Sequence, residues 1–188
     1  SPQEVKMTLQ KTAADMMAES FAKSFSLPVV ILRPFNTYGP RQSERAVIAA
    51  IIRQIEDKNC KEIKLGDLTP KRDFNFVSDT VAAFLAITEL ANSQKGSAFN
   101  AGSGQMVSIE ELVELIQVTT GTNKPVIQDT KRIRPPNSEV FALMADASLL
   151  EKLTKWKPRT SLEKGLEETI EWWRARLPQI RKESDYII

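Results

Sequence analysis

No histidine occurs anywhere in the 188 residues, which excludes His-based proton transfer and His-ligated metal sites at the outset. The single cysteine, Cys60, allows no internal disulfide and fits a reducing compartment. Neither sign of charge dominates: 26 Lys and Arg stand against 24 Asp and Glu, and a net charge of +2 gives no global attraction for nucleic acid. No apolar run approaches the roughly 20 residues of a membrane-spanning helix. The polar start and the amphipathic pattern after it show no signal peptide, so the expected location is the cytoplasm. The seven glycines nowhere form Gly-x-x-Gly-x-x-Gly, the turn that cradles a dinucleotide pyrophosphate at a helix N-terminus. What remains is the balance of a globular protein, 41% hydrophobic and 27% charged. A chain of this size buries roughly 70% of its unfolded surface, enough for a substantial core.

Strand and helix patterns alternate along the chain, which argues for an α/β fold. Leu9, Ala13, Met16, Met17, Phe21 and Phe25 recur at helical spacing and predict a helix over Thr8 to Phe25 with one face to bury. Leu27 to Leu32 is apolar throughout, the pattern of a strand covered on both sides. Ser43 is placed to cap a helix running to about Asp57, with Ala46, Val47, Ala50, Ile51 and Ile55 inward. Lys61 to Leu65 reads as a short strand, Arg72 to Val77 as a half-buried one, and Ser78 as the cap of a helix to about Ala91.

Ser97 to Ala101 reads as a further sheet strand closed by the turn Gly102-Ser-Gly104. Ser108-Ile-Glu-Glu111 is a capping box that opens a helix to about Thr119. A short strand near Val126, a proline-bearing loop from Asp129 to Glu139 and a small strand at Ala142 to Ala145 follow. The chain then predicts a helix over Ser148 to Thr154 and a last amphipathic helix capped by Ser161 and carrying Leu162, Leu166, Ile170 and Trp173. The charged tail after Pro178 is expected to fray.

The run Arg33-Pro-Phe-Asn-Thr-Tyr-Gly-Pro-Arg41 says most about function. It sets an arginine, an asparagine amide and a Gly-Pro turn at the end of a buried strand, where α/β proteins gather ligand-binding groups. Joined with Lys11-Thr-Ala-Ala-Asp15, Gly66-Asp67, Arg72-Asp73, Val77-Ser-Asp79, Asn100-Ala-Gly-Ser-Gly104, Arg132-Ile-Arg-Pro135 and Trp156-Lys-Pro158, it resembles one family in order and spacing. That family is the NAD-dependent epimerases and dehydratases of the extended short-chain dehydrogenases, which act on nucleotide-activated sugars. The phrases Asn36-Thr-Tyr-Gly-Pro-Arg-Gln42 and Gly66-Asp-Leu-Thr-Pro70 look most like UDP-N-acetylglucosamine 4,6-dehydratases.

The resemblance is to the second, substrate-binding half of such enzymes. It implies an incomplete Rossmann remnant of one helix and about two sheet strands, residues 1–42 and 95–107. A small α/β nucleotide-sugar-binding domain, residues 43–94 and 108–178, and a tail, residues 179–188, complete the expected division. The resemblance places Asn36 near the sugar or diphosphate and gives Arg72 and Arg134 the look of a diphosphate clamp, a task suited to the guanidinium fork. Alternatives stay open: an Asx-type turn for Asn36, and surface ion pairs with Asp73 and Glu139 for the arginines. Val47 and Ile48 are candidates for the base pocket, with a core role the competing reading. Arg33 is expected to order the strand end, and Trp156, Trp172 and Trp173 to pack.

The family's Tyr-x-x-x-Lys is broken, because Met7 stands four residues before Lys11 and a thioether cannot exchange a proton. Lys11 is left as a cofactor-ribose candidate or a solvated lysine, and neither Tyr38 nor Tyr186 has the spacing to replace the lost hydroxyl. No cofactor is expected for this chain alone. Three functions follow: a sugar-nucleotide-binding module without turnover, a non-catalytic oligomeric scaffold, or half of a split dehydratase. A UDP-sugar is the expected small-molecule partner. An unpaired sheet edge and an apolar helix face favour a homodimer through the first helix. One further expectation takes Met7 as a native initiator and residues 1–6 as vector-derived.

Overall fold

The computed structural model describes residues 2–132 and 140–177. Four small sheets carry the expected α/β architecture. β1 (Ile31–Pro34) lies parallel to β6 (Ala98–Ala101), β2 (Asn36–Tyr38) to β5 (Phe74–Phe76), and β3 (Ile63–Leu65) to β8 (Val126–Gln128). In the fourth, β4 (Lys71–Arg72) runs between antiparallel β7 (Val107–Ser108) and parallel β9 (Ala142–Leu143). The helices are α1 (Pro2–Phe25), α2 (Val47–Glu56), α3 (Val77–Thr88), α4 (Ile109–Thr120), α5 (Ser148–Thr154) and α6 (Leu162–Arg176).

Two hydrophobic cores form. In the first, Ile48, Ile51, Ile52 and Ile55 of α2 meet Leu112 and Ile116 of α4, Leu166, Ile170 and Trp173 of α6, and Tyr38, Phe74 and Phe76 from the β2–β5 pair. In the second, Phe99 and Ala101 of β6 meet Ala83 and Ile87 of α3, Leu150 of α5 and Trp156, with Val30 and Leu32 alongside. α3 packs its Ala83 and Ile87 in the second core beside Phe99 of β6, while Val77 at its start packs against the first.

Local rules explain where the boundaries fall. Ser108 accepts from Glu111 N while Glu111 bonds back to Ser108 N, the reciprocal box its spacing predicts. Ser161 caps α6 by accepting from Lys164 N. Ser43 does not cap α2: its carbonyl closes a turn onto Ala46 N, and α2 starts at Val47 with no side-chain cap. α3 begins one residue before Ser78, directly out of β5, with Phe76 at the capping position.

The first sheet strand also begins later than its apolar run. Ser26 takes a left-handed φ of 54° that ends α1, and a tight turn from Val29 N to Leu27 O uses the next residues. Gly96 N donates to Val29 O at 2.7 Å, and the paired register begins at Ile31, whose N donates to Ser97 O. The stripe on α1 exists at the predicted spacing but faces outward, with Met16 and Phe25 each 66% exposed. Ala22, which is not part of that stripe, is buried against the Gly96 turn. The predicted strand from Arg72 to Val77 is two strands broken at Asp73, and Phe74, Asn75 and Phe76 are all buried rather than alternating.

Candidate functional site

Two of the ligand candidates, Asn36 and Arg72, adjoin the break at Asp73. Register pairs Asn36 with Phe74, and the Asn36 side-chain Nδ2 donates to the Asp73 carbonyl at 2.9 Å. Arg72 closes β4 one residue earlier; it is half-buried, and its Nη1 donates to Lys71 O at 2.9 Å. Two polar groups 36 residues apart in sequence thus share one strand junction. The Asn36 hydrogen bond runs across strands rather than within a local turn.

Asp73 does not serve as a surface ion-pair partner for Arg72. It is wholly buried, and its carboxylate accepts from Ser103 N at 2.8 Å, Ser103 Oγ at 2.7 Å, Gly104 N at 2.9 Å and Ala145 N at 3.0 Å. Four neutral donors fill the roughly four acceptor positions of a carboxylate. The sequence offered one overlooked signal, an acidic residue directly before the buried Phe-Asn-Phe run.

A second polar group was also missed. Asn75, opposite Thr37 in the β2–β5 register, donates from Nδ2 to Thr80 Oγ1 at 2.8 Å. The Thr80 and Thr37 hydroxyls lie 3.0 Å apart, and Thr37 donates onward to Phe35 O at 3.1 Å. Asn75 Oδ1 is buried with no partner among the described residues. This chain of bonds ends at the carbonyl preceding Asn36 and steadies the β2 backbone from below.

The other predicted residues separate clearly. Ile48 is fully buried in the first core, and Val47 packs half-buried against that core. A helix face rich in isoleucine is better buried in a core than left around a polar ligand. Arg33 pairs with Asp15 of α1 at 2.7 Å and so ties the β1 end to that helix. Lys11 is exposed on α1. Arg134 and Glu139 lie outside the described residues. Trp156 is buried and donates from Nε1 to Asp79 O at 3.1 Å.

Tyr38 cannot stand in for the absent catalytic hydroxyl. It is 1% exposed, its hydroxyl donates to Leu162 O at 3.2 Å, and its ring meets Phe76 edge-on at 5.4 Å. Burial first, then the nearby Asp79, Glu163 and Glu168 carboxylates, push its pKa above the ordinary tyrosine range, so the phenol keeps its proton. Among the described residues no group of three His, Cys, Asp or Glu side chains could hold a metal ion, and no helix is long and apolar enough to cross a membrane.

Residues 8–169 match the profile of the GDP-mannose 4,6 dehydratase family. The chain belongs to this family. The membership agrees with the NAD-dependent epimerase and dehydratase resemblance carried by the motifs. Among its relatives, GDP-6-deoxy-D-mannose reductase of Pseudomonas aeruginosa is 29% identical over 173 residues, covering 90% of this chain and 56% of that protein. The dTDP-D-glucose 4,6-dehydratase of Mus musculus is 32% identical over 171 residues, covering 87% of this chain and 46% of the mouse protein. The solved UDP-glucuronic acid 4-epimerase of Bacillus cereus, in complex with UDP-glucuronic acid and NAD, superposes with a TM-score of 0.79 at 26% identity, covering 89% of this chain and 52% of that one.

The chain therefore spans about half the length of the relatives it matches. The nicotinamide cofactor that the GDP-mannose 4,6 dehydratase family implies finds no cradle in these residues. They hold no Gly-x-x-Gly-x-x-Gly turn, and the Ser103 hydroxyl at the Asp73 junction is spent on the Asp73 carboxylate.

Proposed function

We propose that these residues form the nucleotide-sugar-binding portion of an NAD-dependent dehydratase or epimerase, which holds a substrate diphosphate without turning it over. The observation that carries this reading is that Asn36, bonded to the Asp73 carbonyl, and Arg72, the residue before Asp73, both adjoin the β4–β5 break, next to a strand-end loop of the kind that receives ligands in α/β folds. Arg72 supplies the charge and the planar fork, and Arg134 is proposed as its partner on the diphosphate. Asn36 fixes orientation beside them. Turnover is not expected, because Met7 offers no proton where the family motif has tyrosine. The proposed setting is the cytoplasm.

Titration calorimetry with UDP-N-acetylglucosamine, without NAD, tests the reading directly. Binding is expected for the unaltered chain. Arg72→Ala weakens it about 10- to 100-fold, the usual worth of a charge-assisted bond to an anionic ligand. Absence of both heat and thermal shift at millimolar ligand overturns the proposal.

A second reading has one observation in its favour. Met16, Met17, Phe21 and Phe25 lie exposed on α1, with the two phenyl rings 5.4 Å apart. An apolar face of this kind marks an association surface, and we propose a homodimer formed through it. Sedimentation of the purified chain is expected to give a dimer, and Phe21→Glu with Phe25→Glu a monomer of unchanged helix content. A monomer at tens of micromolar before any substitution sinks the idea.

A further inference from the structure

We infer that Asp73 is a positioning residue for the substrate diphosphate subsite, holding Asn36 and Arg72 in place through a buried carboxylate that touches no ligand. The inference rests on the reading of those two residues as ligand groups. What distinguishes Asp73 from an ordinary buried acid is where its bonds go. Its carbonyl holds the Asn36 amide, and its N–H donates to Leu143 O at 3.0 Å. One carboxylate oxygen holds Ser103, and the other holds Gly104 and Ala145. The residue is thereby fixed to β2, to the turn after β6 and to the segment leaving β9.

Arg72 is attached to the same peptide, so the direction in which β4 delivers its side chain depends on that anchoring. The close fit allows little adjustment. A Cβ on Gly102 would collide with Ala145 Cβ and stand 2.8 Å from Asp73 Oδ2, so the turn reaches the carboxylate only because residue 102 has no side chain. A carboxylate is also the group the environment demands. Three backbone N–H groups converge on it, and an amide of the same shape would turn an NH2 toward at least one of them.

The test uses UDP-N-acetylglucosamine binding as its readout. Asp73→Asn is expected to weaken binding by about 30-fold or more, and Ser103→Ala, which removes only the hydroxyl bond, by about five-fold. Ile170→Val, a core change in α6 remote from these bonds, serves as a control that lowers thermal stability but leaves affinity unchanged. In an Asn36→Ala background, the Ser103→Ala loss is expected to shrink to about two- to three-fold, because one of the two positioned groups is gone and Arg72 remains.

If Asp73→Asn does not fold, Ser103→Ala and its Asn36→Ala combination decide the matter. Unchanged affinity in Ser103→Ala and in a folded Asp73→Asn overturns the inference, while a weakened Arg72→Ala leaves the binding function standing. A Ser103→Ala loss that persists in full without Asn36, or that Ile170→Val reproduces, reduces Asp73 to a purely structural acid. No binding by the unaltered chain removes the diphosphate reading itself.

Discussion

Trp173→Ala is expected to destabilise the chain by about 3–5 kcal/mol, the cost of emptying a large aromatic site in a close-packed core. Domains of this kind are stable by only about 5–15 kcal/mol, so the variant would sit near the edge of folding. Trp173 is 1% exposed and belongs to the core that joins α2, α4 and α6, and its ring meets Trp172 edge-on at 5.1 Å. Its Nε1 is buried with no partner among the described residues. An indole N–H left unbonded already costs free energy. Trp173→Phe removes that group along with part of the ring, so its loss should be far smaller, about 1 kcal/mol. Urea unfolding followed by circular dichroism separates the two. Equal losses would show that the ring kept by phenylalanine restores none of the core packing.

Gly165→Ala is expected to cost about 3 kcal/mol, the upper end for overpacking, although alanine is the better helix former. The added methyl would collide with the Tyr38 hydroxyl and come within 2.7 Å of Phe76 Cδ2 and 2.8 Å of Tyr38 Cζ. Neither neighbour can yield easily. Tyr38 is wedged between Phe74 and Phe76, and its hydroxyl is bonded to Leu162 O at the start of α6. Relief must come from moving α6 or β2, and β2 carries Asn36 two residues before Tyr38. Tyr38→Phe removes the colliding oxygen but not the ring contacts, so combining it with Gly165→Ala should recover part of the loss. A Gly165→Ala protein as stable as the original in thermal unfolding would contradict the geometry.

What the sequence disclosed about this fold depended on range. The capping box at Ser108 and the cap at Ser161 are relations within three residues, and both are present as read. Ser43 and Ser78 carry the same local chemistry but not the same role. One is spent on a turn, and the other lies inside a helix that leaves its strand too abruptly to use it. The α1 periodicity identified a face and could not say what lies beside it, because spacing is intrinsic to a helix and its neighbours are not.

The candidate site divides in the same way. Asn36 and Arg72 were legible through motif order, yet their junction depends on strand pairing across 37 residues. Asp73 was read as a surface partner because its donors lie 30, 31 and 72 residues away, where no local pattern reaches. Val47 and Ile48 were ambiguous for a physical reason. An apolar side chain suits a base pocket and a core equally well until burial is known.

The break between β4 and β5 has a bearing on cooperativity. β5, just after Asp73, is built into the core around Tyr38. Ser103 and Ala145, which hold the Asp73 carboxylate, adjoin β6 and α5 of the other core. The two cores are thus joined by buried polar bonds that leave unsatisfied groups on both sides if the cores part. That cost couples their melting, so a single unfolding transition is expected for the two hydrophobic centres, with Asn36 and Arg72 beside the seam between them.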